Sequence, residues 1–466
     1  MIEFTEAVFQ RFLSNLKESG VETHAITVYQ HGKKKYNKAF SPYSIDAVHP
    51  VYSVTKSFTS IAFGYLWKEK KISLDTPWIS FFPEYEQLAD PIFLKVTLRN
   101  LLSMTMGHDS EAMVKGNDDW ILNNVQKKFA YRPGTHFFYN SMCSYLIGRL
   151  VEKETHQQLS EWLKPRLFEP LGIHEYWWEK DHAGHELGGF GLHLKTEDLA
   201  KFGECLRCNG IWKGEKVIPE DWLKLALSKQ VENDYAYPPV RSENRQGYGF
   251  YFWMCTHNGV RCSGLHGQLC FIQPENELVI AMSNATTGSQ IILNNLFKAM
   301  YKPAETGKKV YFRIPPLSGK PNSPFEKDWF NRTYSALENP AGLESLKVRI
   351  WKNTLHIQIR QKGKLFAFSA MNGKWQEGKN TLIGYSSFYS ADAMSMNPPR
   401  PYQQPIFASY AWVTPTTLQV AVRAKDCSST YNWIIIFDAL YAILDFQVSA
   451  LYTMFPSYEV VLKCPE

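Results

Sequence analysis

The sequence predicts an α+β domain, an antiparallel sheet flanked by a helical cluster, followed by a small all-β barrel or sandwich. Three observations lead there. Helical patterns over 53–67, 97–104, 141–154, 159–167 and 196–208 lie between two groups of strand-like runs. The stretch from Pro303 to Asp328, PAETGKKVYFRIPPLSGKPNSP followed by FEKD, has the Pro, Gly, Lys and Ser content of a linker. Beyond it the hydrophobic pattern has period two. A chain of 466 residues is also too long for one ordinary core. The expected division is a first domain over 1–303, a linker over 304–328 and a β domain over 329–466.

Each element has its own signal. Phe9, Phe12, Leu13 and Leu16 recur at helical spacing and predict an amphipathic surface helix. Residues 24–40 alternate around His31-Gly32, as two strands about a turn would. Thr196, with Glu197 and Asp198 behind it, is the expected N-cap of the last helix of the cluster. Tyr248 to Cys255 reads as a strand, and so does Leu269 to Asn284, broken at Pro274-Glu275-Asn276. In the β domain Leu346, Val348 and Ile350 alternate with polar residues, Asn353-Thr354 turns the chain, and Leu355, Ile357 and Ile359 alternate again. Trp433 to Phe455 is the most apolar long stretch, but it holds Asp438 and Asp445. An aspartate at mid-bilayer costs ~2.5–3.5 kcal/mol, so buried strands are expected and no membrane span.

Composition removes several function classes. Hydrophobic residues make up 44% and charged residues 21%, a globular balance. A net charge of +6 with no basic run interleaved with aromatics argues against a nucleic-acid partner. The acidic start MIEFTEAVFQ has no apolar run of a secretory signal, and eight scattered cysteines read as reduced thiols, so a cytoplasmic location is expected. Cys205 and Cys208 have CxxC spacing without a second ligand pair. His174, His182, His185 and His193 are near one another but not in HExxH spacing. No metal or cofactor is expected.

The chemical signal is Ser53-Val54-Thr55-Lys56. A chain this long holds such pairs by chance, and Ser14-Asn15-Leu16-Lys17 is a second one, on the polar face of the first helix. Context separates them. Lys56 is the sole formal charge between Asp46 and Lys68, in the first turn of a helix that is apolar or small nearly all round. Desolvation and the positive helix end both favour its neutral amine. A neutral amine on the same helix face as a serine suits general-base activation of the hydroxyl. The helix start also offers backbone N–H groups to a developing oxyanion. The alternative is a snorkelling lysine beside a capping serine.

The run PVYSVTKSFTS resembles the nucleophile helix of the serine β-lactamase and penicillin-binding-protein superfamily. Further stretches resemble it in the same order: Lys95 to His108, Arg132 to Ser141, Gly188 to Leu192 with Asp198 to Gly203, and Gly264 to Gln268. Together they cover about residues 20–300. The resemblance implies a β-lactamase/transpeptidase-like fold and a serine hydrolase working through an acyl-enzyme on Ser53, with a small ester, amide or peptide as substrate. Its second motif, Tyr-x-Asn, falls on Tyr139-Asn140-Ser141. That implies Tyr139 as proton carrier, titrating together with Lys56. Ser141 departs from the family's Asn and keeps one hydroxyl in its place. The third motif falls on Leu265-His266-Gly267, or on His266-Gly267-Gln268 if slid by one. His266 is then a substrate contact or a rim histidine. Gly267 permits close backbone approach. The N–H of Gln268 completes an oxyanion hole with that of Ser53. No cation opens this triplet, so recognition of β-lactams or D-Ala-D-Ala peptides does not carry over.

Overall fold

The computed structural model describes residues 1–112, 119–301, 312–339, 342–361, 363–380, 404–426, 428, 430–438, 441–448 and 458–464. These divide into two units, one built from 1–39 and 44–312, the other from 40–43 and the described residues after 312. Of the stretch read as a linker, 304–311 lies outside the described residues.

The first unit is organised on a six-stranded antiparallel sheet. Its strands are β1 (Glu22–Gln30), β2 (Lys33–Ala39), β3 (Trp253–Met254), β4 (Val260–Ser263), β5 (Leu269–Gln273) and β6 (Leu278–Ala285), in the order β2-β1-β6-β5-β4-β3. β1 and β2 meet at His31-Gly32, where both residues take positive φ (53° and 72°), as a two-residue hairpin turn requires. Every residue of β6 is buried, which fits a central strand covered on both faces. α1 (Glu6–Glu18) packs with the last helix of the unit (Ser289–Tyr301), and Arg11 Nη2 donates to the Ala299 carbonyl at 2.8 Å. The break expected at Pro274–Asn276 is a 3-10 turn between β5 and β6.

The helical cluster is built around α2 (Thr55–Lys70), buried from Thr55 through Leu66. Its small polar residues tie down the loops around it. Thr55 Oγ1 accepts from Leu192 N (3.1 Å), Ser57 Oγ donates to the Tyr251 carbonyl (2.8 Å), and Thr59 Oγ1 donates to the Gly188 carbonyl (2.7 Å). Buried hydroxyls satisfied in this way cost little. α3 (Ser141–Thr155) packs beside α2, and Trp162 Nε1 donates to the Ala62 carbonyl at 3.0 Å. A small sheet of Val48–Pro50, Leu192–Lys195 and Trp177–Trp178 leads the chain into α2, with Val51 N donating to the Leu192 carbonyl.

In the second unit, nine strands among the described residues close into a barrel. The ring closes where Lys364–Asn372 runs parallel to Gln404–Trp412, and Gln376–Asn380 pairs outside it. The inward side chains include Leu346, Val348, Leu355, Ile357, Ile359 and Trp433, all buried. Leu346 faces Ile359, Val348 faces Ile357 and Ile350 faces Leu355 across one hairpin. Trp433 lies on a strand, Thr430–Phe437, that pairs with Tyr441–Val448, and Asp438 sits exposed at their turn. Residues 449–457 lie outside the described residues. No helix among the described residues is long and apolar enough to cross a membrane.

Three local expectations are corrected. Thr196 does not cap its helix: its hydroxyl lies 2.6 Å from Ser283 Oγ, and Lys195 occupies the cap with no side-chain bond. Tyr248–Cys255 is not a continuous strand, because Tyr251 takes a φ of 69° and only Trp253–Met254 pair as β3. The hairpin turn is Lys352-Asn353 (φ 48° and 59°), and Thr354 already belongs to the next strand.

Gly64 is where α2 leaves room for Trp222: a Cβ there would lie 2.3 Å from the indole Cδ1. Gly64→Ala should therefore lower stability by ~1–3 kcal/mol, the usual cost of overpacking. Urea unfolding measures it, and an unchanged midpoint would show that Trp222 can swing aside freely.

Candidate active site

Ser53 lies in a 3-10 turn, Tyr52–Val54, that runs directly into α2. Tyr52 holds a φ of 48°, an uncommon conformation for a bulky residue, and this turn presents Ser53. Lys56 follows three residues on and is 1% exposed. Its Nζ lies 3.0 Å from Ser53 Oγ, 3.2 Å from Ser141 Oγ and 2.7 Å from the Gly189 carbonyl oxygen. Burial pulls the Lys56 pKa down to about 7, against the opposing pull of Glu111 and Cys143. A carbonyl oxygen only accepts, so one N–H is committed to Gly189 in either protonation state. If the second N–H goes to Ser141, the lone pair of the neutral amine faces the Ser53 hydroxyl.

Ser141 is the first residue of α3. Asn140 caps that helix, its Oδ1 accepting from Met142 N (2.9 Å), while Ser141 N donates to Glu111 Oε1 (2.5 Å). Gly189 reaches Lys56 because its loop lies directly on α3: a Cβ at 189 would stand 2.8 Å from the Ser141 carbonyl oxygen. Tyr139 is half-buried, and its ring centroid lies 4.8 Å from Lys56 Nζ. The ring stacks on Trp253 with centroids 5.3 Å apart. Burial raises its pKa well above the ordinary phenol value, with Ser53 opposing. Lys56 and Tyr139 thus shift in opposite directions, and both favour the neutral form.

Leu265–Gly267 forms a 3-10 turn ahead of β5, with His266 and Gly267 at positive φ (58° and 79°). Gln268 N donates to the Leu265 carbonyl at 3.3 Å, while its side-chain Nε2 donates to the Asn284 carbonyl at 2.8 Å. His266 is not on the rim: it is 2% exposed and packs edge-on against Tyr52, with centroids 5.2 Å apart. Burial pulls its pKa down to about 4, so it is neutral. Gly264 abuts the Val51 carbonyl, where a Cβ would meet the oxygen at 2.2 Å, so this segment lies against the turn that carries Ser53. Leu265, in the place of the family's cation, is 37% exposed.

A sequence profile of the Beta-lactamase family matches residues 8–292, more than half of the chain. The chain belongs to the Beta-lactamase family. It is 24% identical over 275 residues to the 6-aminohexanoate-dimer hydrolase of Paenarthrobacter ureafaciens, covering 53% of this chain and 67% of that protein. It is 22% identical over 205 residues to protein flp of Staphylococcus aureus, covering 40% of this chain and 41% of that one. The chain spans about half the length of the first curated relatives it matches. Among solved structures, the octameric penicillin-binding protein homologue from Pyrococcus abyssi superposes with a TM-score of 0.51 at 16% identity, covering 97% of this chain and 99% of that one. At that identity the likeness concerns the fold.

The Beta-lactamase fold thus gathers Ser53, Lys56, Tyr139 and Ser141 into one cluster and sets His266, Gly267 and Gln268 beside the Ser53 turn. Three participants escaped the sequence reading. Gly189 acts through a carbonyl and carries no side-chain signal. Glu111 looked like any loop carboxylate. Trp253 was absorbed into the expected strand. Among the described residues no cluster of His, Cys, Asp or Glu is placed to hold a metal.

The amine makes a direct prediction. In an NMR titration, Lys56 should change charge near pH 7, well below the ~10.4 of model lysines. A Lys56 midpoint near theirs would mean that water reaches the amine.

Proposed function

We propose that this chain is a serine hydrolase that cleaves an ester or amide through an acyl-enzyme on Ser53. The contact that carries the reading is Lys56 Nζ at 3.0 Å from Ser53 Oγ, with Gly189 and Ser141 holding the rest of the amine. Neutral Lys56 takes the serine proton as the hydroxyl attacks the acyl carbon. The Tyr139 hydroxyl, beside Lys56, gives its proton to the leaving group and takes the serine proton back from the Lys56 ammonium. Water then attacks the acyl carbon and releases Ser53. The N–H groups of Ser53 and Gln268 stabilise the oxyanion, with Gln268 exchanging its 3.3 Å bond to Leu265 for the substrate oxygen. The relative named as a dimer hydrolase supports an amide or ester over a β-lactam. The absence of a cation at Leu265 points the same way. Residues 1–303 carry this chemistry, with 304–328 as a linker to a separate β domain over 329–466.

One observation favours a second reading, a binding protein that keeps the pocket without turnover: the Gln268 N–H is turned to Leu265. Labelling separates the two. A fluorophosphonate adduct should map to the Ser53 peptide and disappear in Ser53→Ala. Labelling elsewhere, or none in folded protein, would leave the binding reading.

Acylation should rise with pH through about 7 as Lys56 loses its proton, because the folded pKa lies there and the reactive form is the deprotonated one. Lys56→Ala should cost ~10²–10⁴ in acylation rate, the usual worth of a general base. Tyr139→Phe should slow esters with poor leaving groups more than activated ones. The double variant should be barely worse than either single, since the two serve one proton path. Stopped-flow acylation of all three decides it, and additive losses would separate the two residues mechanistically.

A further inference from the structure

Among the described residues, Glu111 is a carboxylate that hydrogen-bonds into the frame of this site. Its Oε1 accepts from Ser141 N at 2.5 Å, and the Ser141 hydroxyl lies 3.2 Å from Lys56 Nζ. The residue is half-buried, so its charge is neither sealed in the core nor fully screened by bulk water. Oε1 is engaged with the backbone, and a carboxylate retains further acceptor sites on its second oxygen. No cation offsets it at the third motif, where Leu265 stands. The guanidinium of Arg261 is 1% exposed, lies over the Trp253 ring, and donates to the Glu243 carbonyl (2.7 Å) and to Asn244 Oδ1 (2.5 Å). It is held behind the aromatic wall.

We propose that Glu111 gives this pocket a preference for acyl substrates bearing a positive charge, a specificity opposite to that of a site opened by a lysine. The inference rests on the Ser53 hydrolase reading and adds the substrate class. When Lys56 is neutral, as attack requires, its positive charge no longer offsets Glu111. Among the described residues, Glu111 then leaves negative charge beside the Ser141 end of the site, so a cationic tail is attracted while a carboxylate is repelled. The same carboxylate acts on the amine. Among the described residues, the groups around Lys56 are the hydroxyls of Ser53 and Ser141, the Gly189 carbonyl, the Tyr139 ring, the Cys143 thiol and Glu111. Of these Glu111 favours the ammonium most, so removing its charge moves the amine further toward the neutral form.

Two activated esters of matched shape test this in the full chain: p-nitrophenyl 4-(trimethylammonio)butanoate, which is cationic, and p-nitrophenyl 5,5-dimethylhexanoate, its neutral isostere. The parent should acylate about five- to tenfold faster with the cation, the worth of one partly screened charge pair. Glu111→Gln keeps an acceptor for Ser141 N and should abolish that ratio while moving the acylation midpoint to lower pH. Glu111→Asp should keep the preference. Equal rates in the parent overturn the proposal. So does a ratio that survives Glu111→Gln, or failure of both esters while a fluorophosphonate still labels Ser53. No labelling of Ser53 at all would instead remove the hydrolase reading beneath it.

Discussion

The site depends on a lysine amine placed where water cannot reach it. Lys56 is 1% exposed on the buried part of α2, Thr55 through Leu66, which is otherwise apolar or small. A buried ammonium without partners is among the costliest groups a fold can hold, so the surroundings must supply oxygen acceptors or let the group neutralise. Both happen. Three oxygens from three different segments converge on Nζ, and desolvation still pulls the pKa down to about 7. Those segments have to be held to within the length of a hydrogen bond, and this explains features that look unrelated. Thr55 and Thr59 point from α2 into the 188–192 loop, Gly189 lies on α3 without a Cβ, and α3 begins at Ser141.

Charge near the amine is balanced rather than uniform. Burial acts against the ammonium, and the Glu111 carboxylate acts for it. Burial is the larger effect, and the result lies near neutrality, the range in which the proposed general base can take a proton and return it. A deeper site with no carboxylate would hold a permanently neutral amine, a weak base. An exposed site would hold a permanent ammonium, no base at all. Tyr139 is pushed the other way by the same burial, so the phenol keeps its proton until another group draws on it.

How much of this the sequence disclosed follows from which atoms do the work. Lys56 was legible because it is the lone charge in an apolar helix, and side-chain chemistry is what a sequence records. Tyr139 was legible only through motif order, since nothing distinguishes it among 25 tyrosines. Gly189 contributes a main-chain carbonyl, which every residue has. Glu111 meets Ser141 across 30 positions, a closeness that tertiary packing alone creates. The β domain shows the same limit: alternation set the pairing of Leu346 with Ile359 and its neighbours, but alternation is identical in a barrel and a sandwich. Closure came from Met371 and Asn372 pairing with Ser409 and Tyr410. Where expectation failed, a backbone conformation decided: Tyr251 at positive φ broke a strand that its side chains would have suited.

The turn at Leu265–Gly267 departs from an open strand edge, yet it does not weigh heavily against chemistry at Ser53. The bond from Gln268 N to Leu265 is 3.3 Å long, beyond the usual range for N–H···O contacts, and so holds little of the donor's capacity. An oxyanion is a charged acceptor, and hydrogen bonds to charged acceptors are shorter and about twice as strong as neutral ones. Under the proposed acyl-enzyme chemistry, exchange of a long neutral bond for a short charged one becomes favourable when charge develops on the acyl oxygen, and not before. The turn is also firmly anchored: Gln268 Nε2 donates to the Asn284 carbonyl, and Asn284 Nδ2 donates to the Gly267 carbonyl at 2.6 Å. Those side-chain bonds hold the backbone in place while the N–H changes partner. On the proposed reading, a donor weakly occupied in the resting site and strongly used in the transition state is what differential stabilisation requires.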